Sequence, residues 1–183
     1  MLALLTSCGR FDLLEYTLSS LYKNQQYIID LTITEDASIK KGQHQQIERY
    51  LNNNEGKYYL HLEDDWEFEN NYNWIEESIK IMEYDPTIIK VLCRRESPHP
   101  CEHDIKIEGL QRFGYIEPWK NNGINWSGFS WNPGVTRLDL LKQFLPFKKY
   151  EQNVAEDIYN AGYKVAELHK PIYTHIGDGR STT

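Results

Sequence analysis

Short apolar runs that alternate with helical periodicities across residues 1–93 constrain this chain more than any other feature. Leu2 to Leu5 is brief, apolar and bounded by Thr6, Ser7 and Gly9, which predicts a buried strand running into a loop. Asp12 and Glu15 have the spacing of a capping box, and Leu14, Leu18 and Leu21 recur at helical intervals. The pattern then repeats. Tyr27 to Thr34 is β-branched and apolar, and Lys41 to Leu51 places Ile47, Tyr50 and Leu51 on one helical face. After the polar turn from Asn52 to Gly56 come a strand from Lys57 to Leu62 and a helix with Trp74, Ile75, Ser78, Ile79 and Met82 inward. That helix stops near Pro86, and Thr87 to Cys93 reads as the next strand. Alternation of this kind predicts an α/β, Rossmann-like fold: a mixed, mostly parallel sheet flanked by helices.

From Arg94 to Gly134 the periodicity breaks up, leaving short strands near Gln111 to Ile116 and Ile124 to Phe129, and such irregular stretches often build binding surfaces. Order returns with helices at Arg137 to Phe144 and Glu151 to Ala161, the second turned inward through Val154 and Ile158 and stopped by Gly162. Strands at Lys164 to Leu168 and Ile172 to His175 finish the pattern. A length of 183 residues suits one domain. The net charge of −7 argues against a nucleic-acid partner, whose backbone is gripped by clustered Lys and Arg. No apolar run approaches the ~20 residues of a membrane helix, so neither a transmembrane segment nor a signal peptide is expected. Cys8, Cys93 and Cys101 show no CxxC spacing, which favours a reducing, cytoplasmic setting over a disulfide framework or a zinc knuckle.

The sharpest local feature is His61-Leu62-Glu63-Asp64-Asp65-Trp66-Glu67, where three consecutive carboxylates follow directly on a strand. Their mutual repulsion demands a counter-charge. At the carboxyl end of a strand in an open α/β sheet, that counter-charge is commonly a hard divalent cation with a phosphate, which points to Mg²⁺ or Mn²⁺. The plain alternative is a solvated acidic turn. Glu35 and Asp36 lie at the equivalent end of the preceding strand, placed either to accept hydrogen bonds from a base or ribose or to cap the next helix. Arg10, in the first loop, is either a diphosphate contact or an exposed helix-start arginine.

Taken together, these residues resemble the GT-A glycosyltransferases, in particular the family 2-like enzymes that take sugars from nucleotide diphosphates. The segment TSCGRFDLLEYTLSSL resembles that family's nucleotide-binding first strand and helix, ITEDAS its nucleoside-contacting turn, and LEDDW its metal-binding DxD element. The resemblance implies Glu63, Asp65 and His175 as metal ligands, with His175 in the late segment Tyr173-Thr174-His175-Ile176-Gly177. It implies donor contacts from Thr6, Arg10, Glu35, Asp36 and Asp64, and from Arg180 in a tail folded over the diphosphate. Ala155-Glu156-Asp157 resembles the family's late acidic pair, making Asp157 the expected base with Glu156 beside it. The stretch Trp126-Ser127-Gly128-Phe129-Ser130-Trp131-Asn132-Pro133-Gly134 resembles its acceptor side, with Trp126 and Trp131 stacking on sugar.

The implied activity is metal-dependent transfer of a sugar, UDP-linked by first expectation, to a glycan hydroxyl with inversion at the anomeric carbon. Residues 1–93 would then form the nucleotide-sugar-binding half and residues 94–183 the acceptor-binding half of a single GT-A domain. The small size and the Asn-, Lys-, Ile- and Tyr-rich wording resemble compact glycosyltransferases of large DNA viruses and phages, which would act in an infected cell. Two other classes fit an acidic strand end: a metal-dependent phosphohydrolase or nucleotidyltransferase, and a carbohydrate-binding module without catalysis.

Overall fold

A seven-strand path forms the spine of the computed structural model, which describes residues 1–35, 42–69, 72–95, 105–121, 124–148 and 150–178. In chain order the first elements are β1 (Leu2–Ser7), α1 (Phe11–Asn24), β2 (Asp30–Glu35), α2 (Gly42–Asn53), β3 (Tyr58–Glu63), β4 (Trp66–Phe68), α3 (Trp74–Tyr84) and β5 (Ile88–Arg95). They are followed by β6 (Phe113–Tyr115), β7 (Trp119–Asn121), β8 (Ile124–Trp126), β9 (Gly134–Arg137), α4 (Leu138–Leu141), α5 (Glu151–Asn160) and β10 (Lys164–His175). The sheet order is β2-β1-β3-β9-β5-β10-β4, with β6 also on β10, and β7 and β8 form a separate hairpin. Strands β1, β2, β3, β5 and β10 share one direction, whereas β9, β4 and β6 run against it. The sheet is therefore mixed and mostly parallel, as the alternation predicts.

Two apolar layers sandwich this sheet, and the strand pleat divides residues between them. Ala3, Leu5, Leu60 and Leu62 face α1 and α3 in one cluster, built with Leu21, Trp74, Ile75, Ile81 and Met82. Leu4 and Tyr59 face the other way, against Ile47, Tyr50 and Leu51 of α2, Leu138 and Leu141 of α4, and Val154, Ala155 and Ile158 of α5. Helix α5 ends as expected at Gly162, in the left-handed region at φ 86°, where Gly162 N–H donates to Tyr159 C=O and Tyr163 N–H to Ile158 C=O. Among the described residues, no helix is long and apolar enough to cross a membrane.

Several local expectations change. No capping box starts α1: Arg10 stands at the cap without a side-chain cap bond, and Asp12 falls within the first turn. The inward face of α1 is Leu13, Thr17 and Leu21, with Leu14 and Leu18 only partly buried. Its polar member has a purpose. The Thr17 hydroxyl donates to Asp64 C=O at 2.9 Å and accepts from Trp66 N–H at 3.1 Å, pinning the acidic turn after β3 to the helix. Strands β4 and β9 lie where loop was expected, the two late strands are one β10 with irregular pairing around Pro171, and the expected helix at Arg137 shrinks to α4 and a 3-10 turn at Lys142–Phe144. Gly134 opens β9 because a Cβ there would lie 2.5 Å from Val91 C=O, so the antiparallel strand fits between its neighbours only with hydrogen at that position.

Replacing Thr17 with Val removes both bonds while keeping the side-chain shape. We expect Thr17→Val to lower unfolding free energy by about 1–3 kcal/mol in urea titrations, and Thr17→Ser to retain most of it.

Candidate active site

Three adjacent carboxylates are held together by being sent in three directions. Continuing the pleat of β3, Glu63 points to the α2 and α5 face with Tyr59 and His61, Asp64 turns to the α1 face, and Asp65 projects from the turn towards β10. Asp64 is 1% exposed and fully engaged: Oδ2 accepts from Ser7 Oγ at 3.0 Å and from Cys8 N–H at 3.1 Å, and Oδ1 pairs with Arg10 Nη2. Arg10 Nη1 reaches Asp65 Oδ2 at 2.8 Å, so one guanidinium spans both acids. Against the cost of its own burial, these bonds hold Arg10 more firmly protonated than a free arginine. Gly9, at φ 81°, makes the left-handed turn that brings Cys8 N–H and Arg10 to the same carboxylate.

Thus the counter-charge for the triplet is supplied by the protein itself. Arg10 and Asp64, both expected to contact the donor, are turned onto each other, and the depth of Asp64 leaves it no face for a ligand. Thr6 is likewise covered: its buried hydroxyl lies 3.3 Å from Gln43 Nε2 and 3.4 Å from His61 Nε2.

Asp65 meets His175 because β4 and β10 pair antiparallel, setting Trp66 opposite His175. His175 Nε2 lies 3.2 Å from Asp65 Oδ2, and its Nδ1 lies 2.7 Å from Asp178 Oδ1. Ile176 N–H donates to Asp65 C=O at 2.9 Å, and a Cβ on Gly177 would fall 2.5 Å from Asp65 Oδ2, so the backbone closes directly over the carboxylate. A hard divalent cation is commonly held by one or two carboxylates with substrate phosphates completing its shell. One carboxylate and one imidazole, the latter oriented by a second carboxylate at its other nitrogen, fit that demand. Glu63 does not join them. Its Oε1 accepts from Gln43 Nε2 at 2.8 Å and its Oε2 from Trp66 Nε1 at 3.3 Å, and burial with the nearby Asp65 pushes its pKa up to about 7. Among the described residues, no group of three His, Cys, Asp or Glu side chains forms a ready cation site.

Behind Glu63 lies a buried polar network that sequence reasoning missed. His61 Nδ1 donates to Trp131 C=O at 2.6 Å; burial and the nearby Lys90 push the His61 pKa down to about 3, so the ring is neutral. Trp131 Nε1 donates to His44 Nε2 at 2.8 Å, and Trp131 N–H donates to Glu151 Oε2 at 3.0 Å. Lys90, on β5 and fully buried, donates to Ser130 C=O at 2.7 Å. Trp131 is therefore 2% exposed and packed edge-on against Phe129, His61, His44 and Phe147. That corrects its expected role: a buried indole has no face to stack on an acceptor. Trp126 is half-buried at the end of the β7–β8 hairpin, its Nε1 donating to Phe129 C=O.

The expected base residues stand on the flank of α5. Glu156 is exposed, and the Asp157 carboxylate pairs with Lys148 Nζ at 2.5 Å. The inward stripe of α5 is Val154, Ala155 and Ile158, and one turn earlier it begins with Glu151. The signal was present in the spacing, since 151, 154, 155 and 158 fall on one helical face whereas 156 and 157 do not. Glu35 is exposed at the end of β2, in register with Ser7. Asp36 and Arg180 lie outside the described residues.

No protein-family model and no curated protein matches the sequence. Solved structures match its architecture. The mannosyltransferase PcManGT from Pyrobaculum calidifontis, in complex with GDP-Man and Mn²⁺, superposes with a TM-score of 0.64 over 98% of this chain and 58% of that one, at 13% identity. The chain has the GT-A type of α/β fold. TarS from S. aureus, in complex with UDP, gives a TM-score of 0.55 over 94% of this chain and 59% of that one, at 14% identity. CMP:2-keto-3-deoxy-manno-octonic acid synthetase, in complex with CTP, gives 0.56 over 94% of this chain and 90% of that one, at 12% identity. The chain thus spans about three-fifths of the two transferases and nearly all of the synthetase.

The Arg10 clamp makes a measurable prediction. Arg10→Met leaves two adjacent buried carboxylates without their guanidinium and is expected to destabilise the fold by about 3–5 kcal/mol. Adding Asp64→Asn to that variant should return part of the loss, giving a coupling of at least about 1 kcal/mol in a double-mutant cycle measured by denaturant unfolding.

Proposed function

We propose that this chain transfers a glycosyl group from a nucleoside-diphosphate sugar to a hydroxyl acceptor, with a divalent cation. The observation that supports this most directly is the convergence of Asp65 and His175, oriented by Asp178, at the carboxyl ends of β3 and β10 in a GT-A sheet. Ligands of open α/β sheets sit at that edge. Asp65 and His175 would hold Mn²⁺ or Mg²⁺, which when bound neutralises the charge developing on a departing diphosphate. Glu35, in register with Ser7, would contact the nucleoside, and we take a UDP-linked donor as the first to test.

Proton removal from the acceptor falls, in this reading, to Glu151. It is half-buried, stands at the positive end of α5 and is fixed by Trp131 N–H. Trp126 and the β7–β8 hairpin would border the acceptor. A base on the face opposite the leaving group inverts the anomeric carbon. Asp157, tied to Lys148 on the outer flank, is the rival base.

A second reading has one specific support: the chain's extent matches the synthetase far more fully than the transferases. Nucleotidyl transfer from a triphosphate would release pyrophosphate; glycosyl transfer releases a nucleoside diphosphate.

Thermal-shift screening of UDP-, GDP-, CMP- and dTDP-linked sugars, with and without Mn²⁺, should show metal-dependent stabilisation by one nucleotide class. Asp65→Ala is expected to abolish that dependence; an unchanged response would remove Asp65 from the cation site. With a responding UDP-, GDP- or dTDP-linked donor, nucleoside diphosphate is the expected product (nucleoside monophosphate with a CMP-linked one), and pyrophosphate formed from a triphosphate and a sugar would establish the second reading instead. Glu151→Gln should keep donor affinity while lowering turnover on the order of 10²–10⁴-fold, with Asp157→Asn near the unaltered rate. The reverse ranking moves the base to Asp157.

A further inference from the structure

Lys90 is an unusual residue to find inside a sheet. Its side chain is fully buried, its stem runs past Gly134, where a Cβ would lie 3.0 Å from Lys90 Cε, and its ammonium sits 5.1 Å from the Phe129 ring centre and 6.0 Å from that of Trp131. Its ammonium donates to Ser130 C=O at 2.7 Å. Burying a cation is costly unless its surroundings repay it.

The peptide unit it holds gives the account. The carbonyl between Ser130 and Trp131 accepts from Lys90, and the N–H of the same unit donates to Glu151 Oε2 at 3.0 Å. A cation on the oxygen draws electron density from the amide and strengthens its N–H as a donor, the cooperative effect of linked hydrogen bonds in a low-dielectric interior. The unit cannot swivel, because Trp131 C=O is held by His61 and Trp131 Nε1 by His44.

We infer that Lys90 is a positioning residue for Glu151: it grips the Ser130–Trp131 peptide from beneath and, through that peptide and its own charge, holds the Glu151 carboxylate as a fixed anion facing the acceptor. This rests on the glycosyl-transfer reading for its purpose, though the link between the two side chains stands apart from turnover. Burial raises the Glu151 pKa above the ordinary carboxylate value, and Trp131 N–H and Lys90 limit that rise in favour of the anion. The other groups around it do not replace that cation. Glu63 on β3 is an acid that itself feels Glu151, burial keeps His61 and His44 towards the neutral form, and Lys148 is paired with Asp157. Burial lowers Lys90 to about 8, with Glu151 and Glu63 opposing, so it stays largely protonated at neutral pH.

The test is carbon-13 NMR titration of the Glu151 carboxyl, assigned by its loss in Glu151→Gln. In a Glu63→Gln background, which removes the neighbouring acid that titrates near pH 7, a second inflection is expected near pH 8, as Lys90 loses its proton. In Lys90→Met the carboxyl should titrate at a pH about one unit higher, a tenfold smaller ionised fraction at a given acidic pH. The acid limb of kcat should move with it while donor KM stays put. Lys90→Gln, which keeps a donor to Ser130 without the charge, should shift the titration less than Met does.

A Glu151 titration with one inflection in the Glu63→Gln background, or one that does not move in a folded Lys90→Met, overturns the inference. If neither Lys90 variant folds, the inflection near pH 8 in the Glu63→Gln background still decides it. An absence of sugar transfer, by contrast, overturns the assigned reaction and leaves the carboxyl titration to judge the Lys90 link.

Discussion

One guanidinium makes the acidic edge of this sheet possible. Glu63, Asp64 and Asp65 are consecutive, and without compensation they would repel one another at a partly desolvated strand end. Arg10 spans Asp64 and Asp65, Ser7 and Cys8 fill the remaining lone pairs of Asp64, and Thr17 fixes the backbone of the same turn. All of these partners come from β1, the loop after it and α1. The strand and helix that open the fold are therefore also what allows the turn after β3 to carry so much charge.

The second requirement is the pair of antiparallel strands. β4 sets Asp65 against a histidine 110 positions away in sequence, and β9 wedges between β3 and β5 so that the Phe129–Trp131 segment just before it is delivered to the buried edge beside Lys90. A purely parallel sheet would have placed β3 and β5 side by side and left no entry for that segment. The irregular stretch from Arg94 to Gly134 is thus tied to the core at its far end, by His61, Lys90 and Glu151 acting on two adjoining residues.

These two requirements also explain what the sequence made legible. Helices α2, α3 and α5 and the parallel strands could be read because each has a long enough period to declare its buried face; Ile47, Tyr50 and Leu51 are an example. β4 and β9 could not, since three- and four-residue strands carry almost no period and owe their existence to partners far along the chain. The inward face of α1 was misread for a related reason: Thr17 is inside for its hydrogen bonds, and apolar counting favours Leu14 and Leu18. Acidic motifs were legible as a site but not as roles. Adjacent letters look alike, whereas the pleat gives Glu63, Asp64 and Asp65 three different environments. At α5 the helical spacing separates Glu151, on the inward face, from Glu156 and Asp157 on the flank.

Dividing the carboxylates this way separates demands that conflict in a single group. A residue that fixes a turn must be buried and permanently paired, as Asp64 is, while one that takes part in binding a cation and phosphates must exchange partners. Asp65 is buried as well, held by Arg10 at 2.8 Å and His175 at 3.2 Å, and under the proposed reading a diphosphate arriving there would bring anionic oxygens that compete for the same guanidinium. Arg10 can answer such a ligand through the nitrogen that faces Asp65 without releasing Asp64, because its two ends are held by different acids. On the opposite face, Glu63 and Glu151 share Lys90 as the buried cation in their electrostatic surroundings, so any change in charge at one is felt at the other. In this arrangement a donor bound at the Asp65 edge and an acceptor bound at Glu151 would meet across Glu63, the one carboxylate of the triplet that belongs to the same face as the proposed base.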